Sequence, residues 1–225
     1  MKLYFHPVST VSRPIVQFCL DAGIDYEPVV VDLMTGEQLG EDYRKHNPNG
    51  LVPTLEDGDF RMTESSAILK YLAEKAGSPA YPSDVRKRAR VNELMDWFNT
   101  GFYRDYGYNL LYPQLFPHHK RPSDEAQRAT VAWGKERAEA ALKILNDSYL
   151  GDGRKFLCGD EPTIADYFGA SLVATGELCG NAFSSYPNVE RWLAAMRALP
   201  SWDKAYEVFN GFKESLKGKE FVTIA

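Results

Sequence analysis

Residues able to do chemistry gather in two places near the start of this chain. The first is Ser9-Thr10-Val11-Ser12, between a short apolar run (residues 2–6) and a segment of helical periodicity. Backbone N–H groups at a helix start lack partners and carry partial positive charge, so the place favours an anion. A hydroxyl there donates to a thiolate or an oxyanion. Ser12 directly precedes Arg13-Pro14 and reads as the helix cap. Ser9 lies farther out, free of that duty, and is the candidate donor.

The second place is the run from His46 to Leu72, HNPNGLVPTLEDGDFRMTESSAILKYL. Asn47-Pro48-Asn49-Gly50 is a turn cluster, and Val52-Pro53 opens a short apolar strand. Asp57-Gly58 signals a tight hairpin. Glu64-Ser65 then starts a helix whose Ile68, Leu69 and Leu72 share one face. Proline at a strand mouth gives no N–H to the sheet. With a cis bond to Pro53, the backbone groups of Val52 face outward, open to an extended ligand. The Ser65 hydroxyl and nearby N–H groups suit a carboxylate, and Glu64 suits an ammonium. The plainer reading of these pairs is a strand entry and a helix cap. Taken together they grip a small peptide by its backbone and by its charged end.

Farther along, Trp97, Phe98, Phe102, Tyr103, Tyr106, Tyr108 and Tyr112 are too many for one core-facing stripe. Tyr103, Arg104 and Tyr106 are the candidates to line a cleft for a hydrophobic small molecule. His6 reads as a packed or solvated residue. His118-His119 sit in a polar loop without metal-ligand spacing and read as solvated. No metal site is expected. Thr163-Ile164-Ala165-Asp166 before an apolar run reads as a capping box with Asp at its fourth position, a structural device.

These groups need a scaffold. Lys2–His6 reads as a buried strand, Pro14 sits in a first helical turn, and Gly23 ends that helix. Residues 26–31 form a second strand, parallel to the first because a helix connects them. Residues 36–45 are weakly helical. The order over residues 1–77 is therefore βαβαββα, a small α/β domain. Residues 78–84 form a proline-bearing linker, and residues 85–225 carry only helical periodicity, an all-α C-terminal domain. Helices are expected at 163–178, 188–199 and 201–209.

Composition sets limits. A net charge of −5 with no basic run makes nucleic acid and anionic membrane poor partners. The apolar runs are too short to span a membrane, and residues 1–6 lack a signal-peptide core. Cys19, Cys158 and Cys179 are odd in number and sit in apolar company, so they read as reduced thiols of a cytoplasmic protein.

Over essentially its full length the chain resembles a cytosolic glutathione transferase. The likeness rests on Ser9-x-x-x-Arg13, Asn47-Pro48-x-Gly50-x-Val52-Pro53, Glu64-Ser65-x-Ala67-Ile68, and Gly159 with Thr163-x-Ala165-Asp166. The serine at position 9 is similar to the serine-type, theta-like bacterial branch. The resemblance implies a thioredoxin-like N-terminal domain and a twofold homodimer. It implies glutathione as co-substrate, and a hydrophobic electrophile or organic peroxide as second substrate, without a metal. Ser9 would bond the glutathione sulfur. Val52, with Pro53 cis, would pair with the peptide backbone. Glu64 and Ser65 would hold the γ-glutamyl end and Gln38 the glycyl carboxylate. No cysteine occupies residues 9–12, against thiol exchange. Two positions depart from the pattern. Similar enzymes bring an acid from the partner's long helix; here the stretch is Phe98-Asn99-Thr100, with Asp96 and Asp105 nearby. Leu51 stands where some relatives carry a basic residue. The rival reading is a non-catalytic glutathione-binding stress or interaction protein.

Overall fold

The computed structural model describes residues 1–224. Its first part is a four-stranded sheet in the order β2-β1-β3-β4, built from β1 (Lys2–Phe5), β2 (Glu27–Val30), β3 (Thr54–Asp57) and β4 (Phe60–Met62). β1 runs parallel to β2 and antiparallel to β3, with Leu3 opposite both Pro28 and Leu55. α1 (Arg13–Ala22) makes the crossover between β1 and β2, and Gly23 closes it in the left-handed region at φ 64. α2 (Glu41–Arg44) follows a single 3₁₀ turn, and α3 (Ser65–Lys75) follows the hairpin. The side chains of Leu3, Leu55, Ile15, Phe18, Ile68, Leu69 and Leu72 are buried together between sheet and helices. The hairpin turn falls one residue later than its dipeptide signal. Asp57 pairs with Phe60, so the loop residues are Gly58 and Asp59. Gly58, at φ 64, supplies the positive φ that a two-residue loop needs at its first position.

The second part is helical: α4 (Val85–Asp96), α5 (Tyr112–Leu115), α6 (Asp124–Ile144), α7 (Ile164–Ala174), α8 (Pro187–Arg197) and α9 (Trp202–Ser215). α7 is the axis of this part, with all its residues buried. At its start, Asp166 accepts from the backbone N–H groups of Leu157 (2.7 Å) and Thr163 (2.8 Å). The same carboxylate accepts from Thr163 Oγ1 (2.8 Å) and Trp192 Nε1 (2.9 Å). The Thr163–Asp166 pair thus does what its spacing predicts, and also anchors α8. A Cβ on Gly169 would lie 2.4 Å from the Phe98 ring, so glycine is what lets α7 close on the neighbouring helix. α1 packs against α7 and α9, joining both parts into one core.

Between α4 and α5 the helix is widened. Residues Trp97–Phe102 and Arg104–Leu111 bond i to i+5, as in Tyr103 N–H to Phe98 C=O and Tyr112 N–H to Gly107 C=O. Wide turns of this kind recur at functional sites. No helix among the described residues is long and apolar enough to cross a membrane.

Candidate active site

A cleft of about 370 Å³ lies where the β1–α1 loop, the turn before β3 and the start of α3 face the widened helix. A larger open groove, about 1190 Å³, runs along the linker beside Pro82, Arg86 and Cys158. The chemistry-bearing residues lie in the smaller one: Ser9, Gln38, Val52, Pro53, Glu64, Ser65 and Tyr103 all line it.

Ser9 occupies the loop between β1 and α1. Its N–H donates to His6 C=O (2.9 Å), and its own carbonyl accepts from Ser12 and Arg13 N–H, both at 3.2 Å. Its Oγ accepts from Ser12 N–H at 3.3 Å. Ser9 is therefore the residue that caps this helical start, and it reaches the cleft as well. The expected assignment of Ser12 as cap is corrected: Ser12 has helical backbone angles, makes no capping bond, and its buried Oγ has no partner. The helical turn begins earlier than Pro14 suggests, which moves the cap back by three residues. With its acceptor side occupied by Ser12 N–H, the Ser9 hydroxyl is left to donate.

His6 lines the same cleft. Burial lowers its pKa, and its Nδ1 accepts from Val8 N–H at 3.2 Å, so the neutral ring carries its proton on Nε2.

The Val52–Pro53 bond is cis. Among the described residues, neither backbone polar group of Val52 has a partner within the chain. The preceding turn is tied down by Asn47 Nδ2 and Tyr43 OH, each donating to Leu51 C=O at 2.7 Å. Gly50 is at φ 63, and a Cβ there would meet Gln38 C=O at 2.9 Å. Glycine thus brings the Gln38 loop against the Val52 turn. Oε1 of Gln38 is buried at the cleft without a partner. Leu51 is exposed.

Glu64 immediately precedes α3 at φ 66 and ψ 106, a conformation that costs a non-glycine residue of order 1–3 kcal/mol. No side chain caps α3, so its first N–H groups, from Ser65 onward, are free to meet an anion. Ser65 is itself buried at the edge of the cleft.

The opposite wall is aromatic: Tyr103, Tyr108, Tyr112 and Phe116, with His118 and His119. Tyr112 OH donates to Thr10 Oγ1 at 2.8 Å and lies 2.6 Å from Tyr103 OH. Burial raises the pKa of all three tyrosines, Tyr112 to about 12, so each keeps its proton at neutral pH. A Cβ on Gly107 would lie 2.6 Å from the Tyr103 ring, so glycine is what admits that ring.

Two expected residues are absent from this wall. Tyr106 is fully buried in the helical core, donating to Val173 C=O (3.0 Å) and accepting from Asn181 Nδ2 (3.0 Å). Arg104 turns outward to Asp105, with Nε and Nη2 each 3.0 Å from a carboxylate oxygen. The cause is the widened helix. With i to i+5 bonding, the residue that returns to the face of Tyr103 is Tyr108, not Tyr106. His119, expected in solvent, is half-buried, with its ring centroid 5.2 Å from that of Tyr112 and 5.6 Å from that of Tyr108. Only its packing partners, seven and eleven residues away, could have signalled that. Of the nearby acids, Asp105 is buried and engaged with Arg104 and Arg137, while Asp96 is exposed on α4; Asn99 is the residue of this stretch that lines the cleft.

Known proteins supply an independent comparison. Residues 3–80 match the family model described as glutathione S-transferase, N-terminal domain, and residues 109–200 match glutathione S-transferase, C-terminal domain. Glutathione S-transferase D7 of Drosophila melanogaster is 32% identical over 221 residues, 96% of this chain and 93% of that protein. Among solved structures, a delta-class glutathione transferase of Nilaparvata lugens is 30% identical with a TM-score of 0.81, covering 96% of this chain and 98% of that one. Human glutathione transferase theta-2, solved with glutathione and an unknown ligand, is 30% identical with a TM-score of 0.82, covering 100% of this chain and 93% of that one.

Proposed function

This chain belongs to the glutathione S-transferase family, and from that premise we propose that it is a serine-type, theta-like transferase in which Ser9 donates its hydroxyl to the glutathione sulfur. The observation that carries the reading is the Ser9 hydroxyl itself. It lines the cleft, and its acceptor side is already used by Ser12 N–H. The theta-2 and delta-class relatives support the branch; being insect and human, they lend nothing to a bacterial origin.

The energetic task is modest. A free thiol has a pKa of about 8.5, and each unit of depression takes about 1.4 kcal/mol of thiolate stabilisation. One hydrogen bond to a charged group contributes about 1.5–3 kcal/mol. Ser9 at the start of α1 therefore suffices to bring the thiolate near neutrality. In the same reading, Val52 pairs with the peptide backbone of glutathione. Ser65 and the free N–H groups of α3 take the γ-glutamyl carboxylate, Glu64 takes the ammonium, and Gln38 reaches the glycyl carboxylate. The thiolate attacks an electrophilic carbon, forming a C–S bond and releasing the leaving group. With an organic hydroperoxide, two glutathiones become a disulfide while the peroxide yields an alcohol and water. The aromatic wall suits a hydrophobic second substrate.

We assign glutathione binding to residues 1–77, the connection to residues 78–84, and the electrophile side to residues 85–225. We also propose a twofold homodimer, in the cytoplasm. The exposed apolar residues Leu51, Phe60 and Trp133 favour an interface, and three free thiols fit a reducing compartment.

The test is the ultraviolet absorbance of bound thiolate against pH, in the unaltered protein and in Ser9→Ala. The pKa of bound glutathione should rise by about one to two units, and turnover of a chlorinated aromatic at neutral pH should fall with it. An unchanged curve removes Ser9 from the role. Normal thiolate formation without turnover of the aromatic or of a hydroperoxide favours the non-catalytic binder.

A further inference from the structure

The loop that carries Ser9 is gripped on both flanks, by the helical part on one and by Arg13 of α1, itself bonded to the helical part, on the other. On one side, Ser171 Oγ donates to Thr10 C=O at 2.6 Å, and Thr175 Oγ1 lies 3.3 Å from Thr10 Oγ1. On the other, Arg13 Nη1 donates to Val8 C=O at 3.1 Å. The Nη2 of the same guanidinium donates to Thr175 Oγ1 at 2.8 Å and to Ser171 C=O at 3.3 Å. Of the two chain neighbours of Ser9, Thr10 is thus held directly by α7 and the turn that follows it, and Val8 through Arg13 of α1, which Ser171 and Thr175 hold. The holding groups are shut off from solvent: Thr10 is 6% exposed, Thr175 2%, Arg13 1% and Ser171 0%.

Arg13 is an unusual tie. Among the described residues it forms no ion pair, and its guanidinium lies 3.8 Å from the Phe209 ring centroid and 4.9 Å from that of Tyr206. A buried charge without a counter-charge is expensive. A neutral side chain would glue two surfaces at less cost. A cation bonded to Val8 C=O, one residue before Ser9, favours an anion held at that loop. Ser9 itself has only its contacts within the loop, the bonds to His6, Ser12 and Arg13. Its aim across the cleft is set by its neighbours.

We propose that Ser171 and Thr175, together with Arg13, are positioning residues for Ser9, holding residues 8–10 so that the Ser9 hydroxyl points at the glutathione sulfur. The proposal rests on the reading of Ser9 as the sulfur-bonding group. Hydrogen bonds weaken steeply with misalignment, so a small loop shift costs most of the thiolate stabilisation.

The experiment compares Ser9→Ala, Thr175→Val, Thr175→Ser and Ser171→Ala by the thiolate titration of bound glutathione. Affinity for S-methylglutathione, which has no thiol to ionise, is measured alongside. Thr175→Val should raise the thiol pKa by about half to one unit, less than Ser9→Ala does. Affinity for S-methylglutathione should stay unchanged, and Thr175→Ser should restore the titration curve. Ser171→Ala should act in the same direction and serves if Thr175→Val does not fold. A shift in Ser9→Ala with none in Thr175→Val or Ser171→Ala overturns the positioning role and leaves Ser9 in place. Equal losses of thiolate and of S-methylglutathione binding overturn it too, since that is general damage. No shift in Ser9→Ala overturns the Ser9 reading and this proposal together.

Discussion

The hydroxyls of Tyr103 and Tyr112 lie 2.6 Å apart on one wall of the cleft, and Tyr112 passes its own hydrogen to Thr10 Oγ1 in the other half of the molecule at 2.8 Å. Tyr112 is thus the middle member of a chain and Tyr103 its end. Tyr112→Phe strips partners from both neighbours and should cost about 1–3 kcal/mol of stability. Tyr103→Phe breaks one bond at a less buried position and should cost about 0.5–1.5 kcal/mol. Urea denaturation of both and of the double variant checks this. The double variant should lose less than the sum, because the two changes share a bond. Equal costs for the single variants would put the anchor elsewhere.

Much of the fold was legible because its signals are local. Gly23 ends α1, and the turn cluster before Val52 and the Thr163–Asp166 spacing each act within a few residues. The order βαβαββα followed by helices needed only periodicity and turn chemistry. The candidate site was legible where the same stretch that folds it also lines it, as at residues 46–72. It was illegible where the geometry departs from the regular helix or reaches across the chain. The surplus of aromatics pointed to a cleft-lining wall but not to which residues form it, and the i to i+5 turns bring Tyr108 there rather than Tyr106 or Arg104. The tie from Ser171 to Thr10 spans 161 residues, and no local pattern announces it.

Ser9 takes the capping role that the position of Ser12 suggests, and Ser12 is left with none. Ser12 Oγ is buried with no partner, so Ser12→Ala removes an unpaired polar group and should leave stability unchanged or raise it by up to about 1 kcal/mol. Ser9→Ala removes the acceptor for Ser12 N–H and should cost about 0.5–1.5 kcal/mol. Thermal and urea unfolding without ligand decide between them. A clear loss in Ser12→Ala would return the cap to that residue.

Glu177 gives stability a direction with pH. Burial works to raise its pKa, but the hydrogen bonds and charges of Lys213 and Arg197 outweigh it, and the folded value lies below the ordinary one. The lysine and arginine contacts are 2.8 Å and 2.7 Å. A carboxylate with a depressed folded pKa adds stability that is fully present above the unfolded value, about 4.3, and is lost as pH falls through the folded value. Glu177→Gln should therefore lower the melting temperature at pH 7 and shrink the gap to the unaltered protein below about pH 4. A gap that is constant from neutral to acid pH would mean that the ion pairs contribute nothing.

Asp166 offers the sharpest separation of fold from function. All four of its partners donate: two backbone N–H groups, the Thr163 hydroxyl and the Trp192 indole. The site therefore wants two oxygens and no hydrogen. Asp166→Asn puts an NH₂ group against either the Thr163 pair or the Leu157–Trp192 pair. Against Leu157 and Trp192, two obligate donors face a third. Against Thr163 the hydroxyl can turn to accept, but the backbone N–H still faces a donor, so the cost is about 1–3 kcal/mol. Thr163→Val keeps the shape and removes one donor, so it should cost only about 0.5–1.5 kcal/mol. Neither residue lines the cleft, so the folded fraction of both variants should bind glutathione as the unaltered protein does. Chemical denaturation gives the stability series, and calorimetric titration below the unfolding transition gives the affinities. A variant that melts normally but binds weakly would show that this cap reaches the cleft by a route other than fold stability.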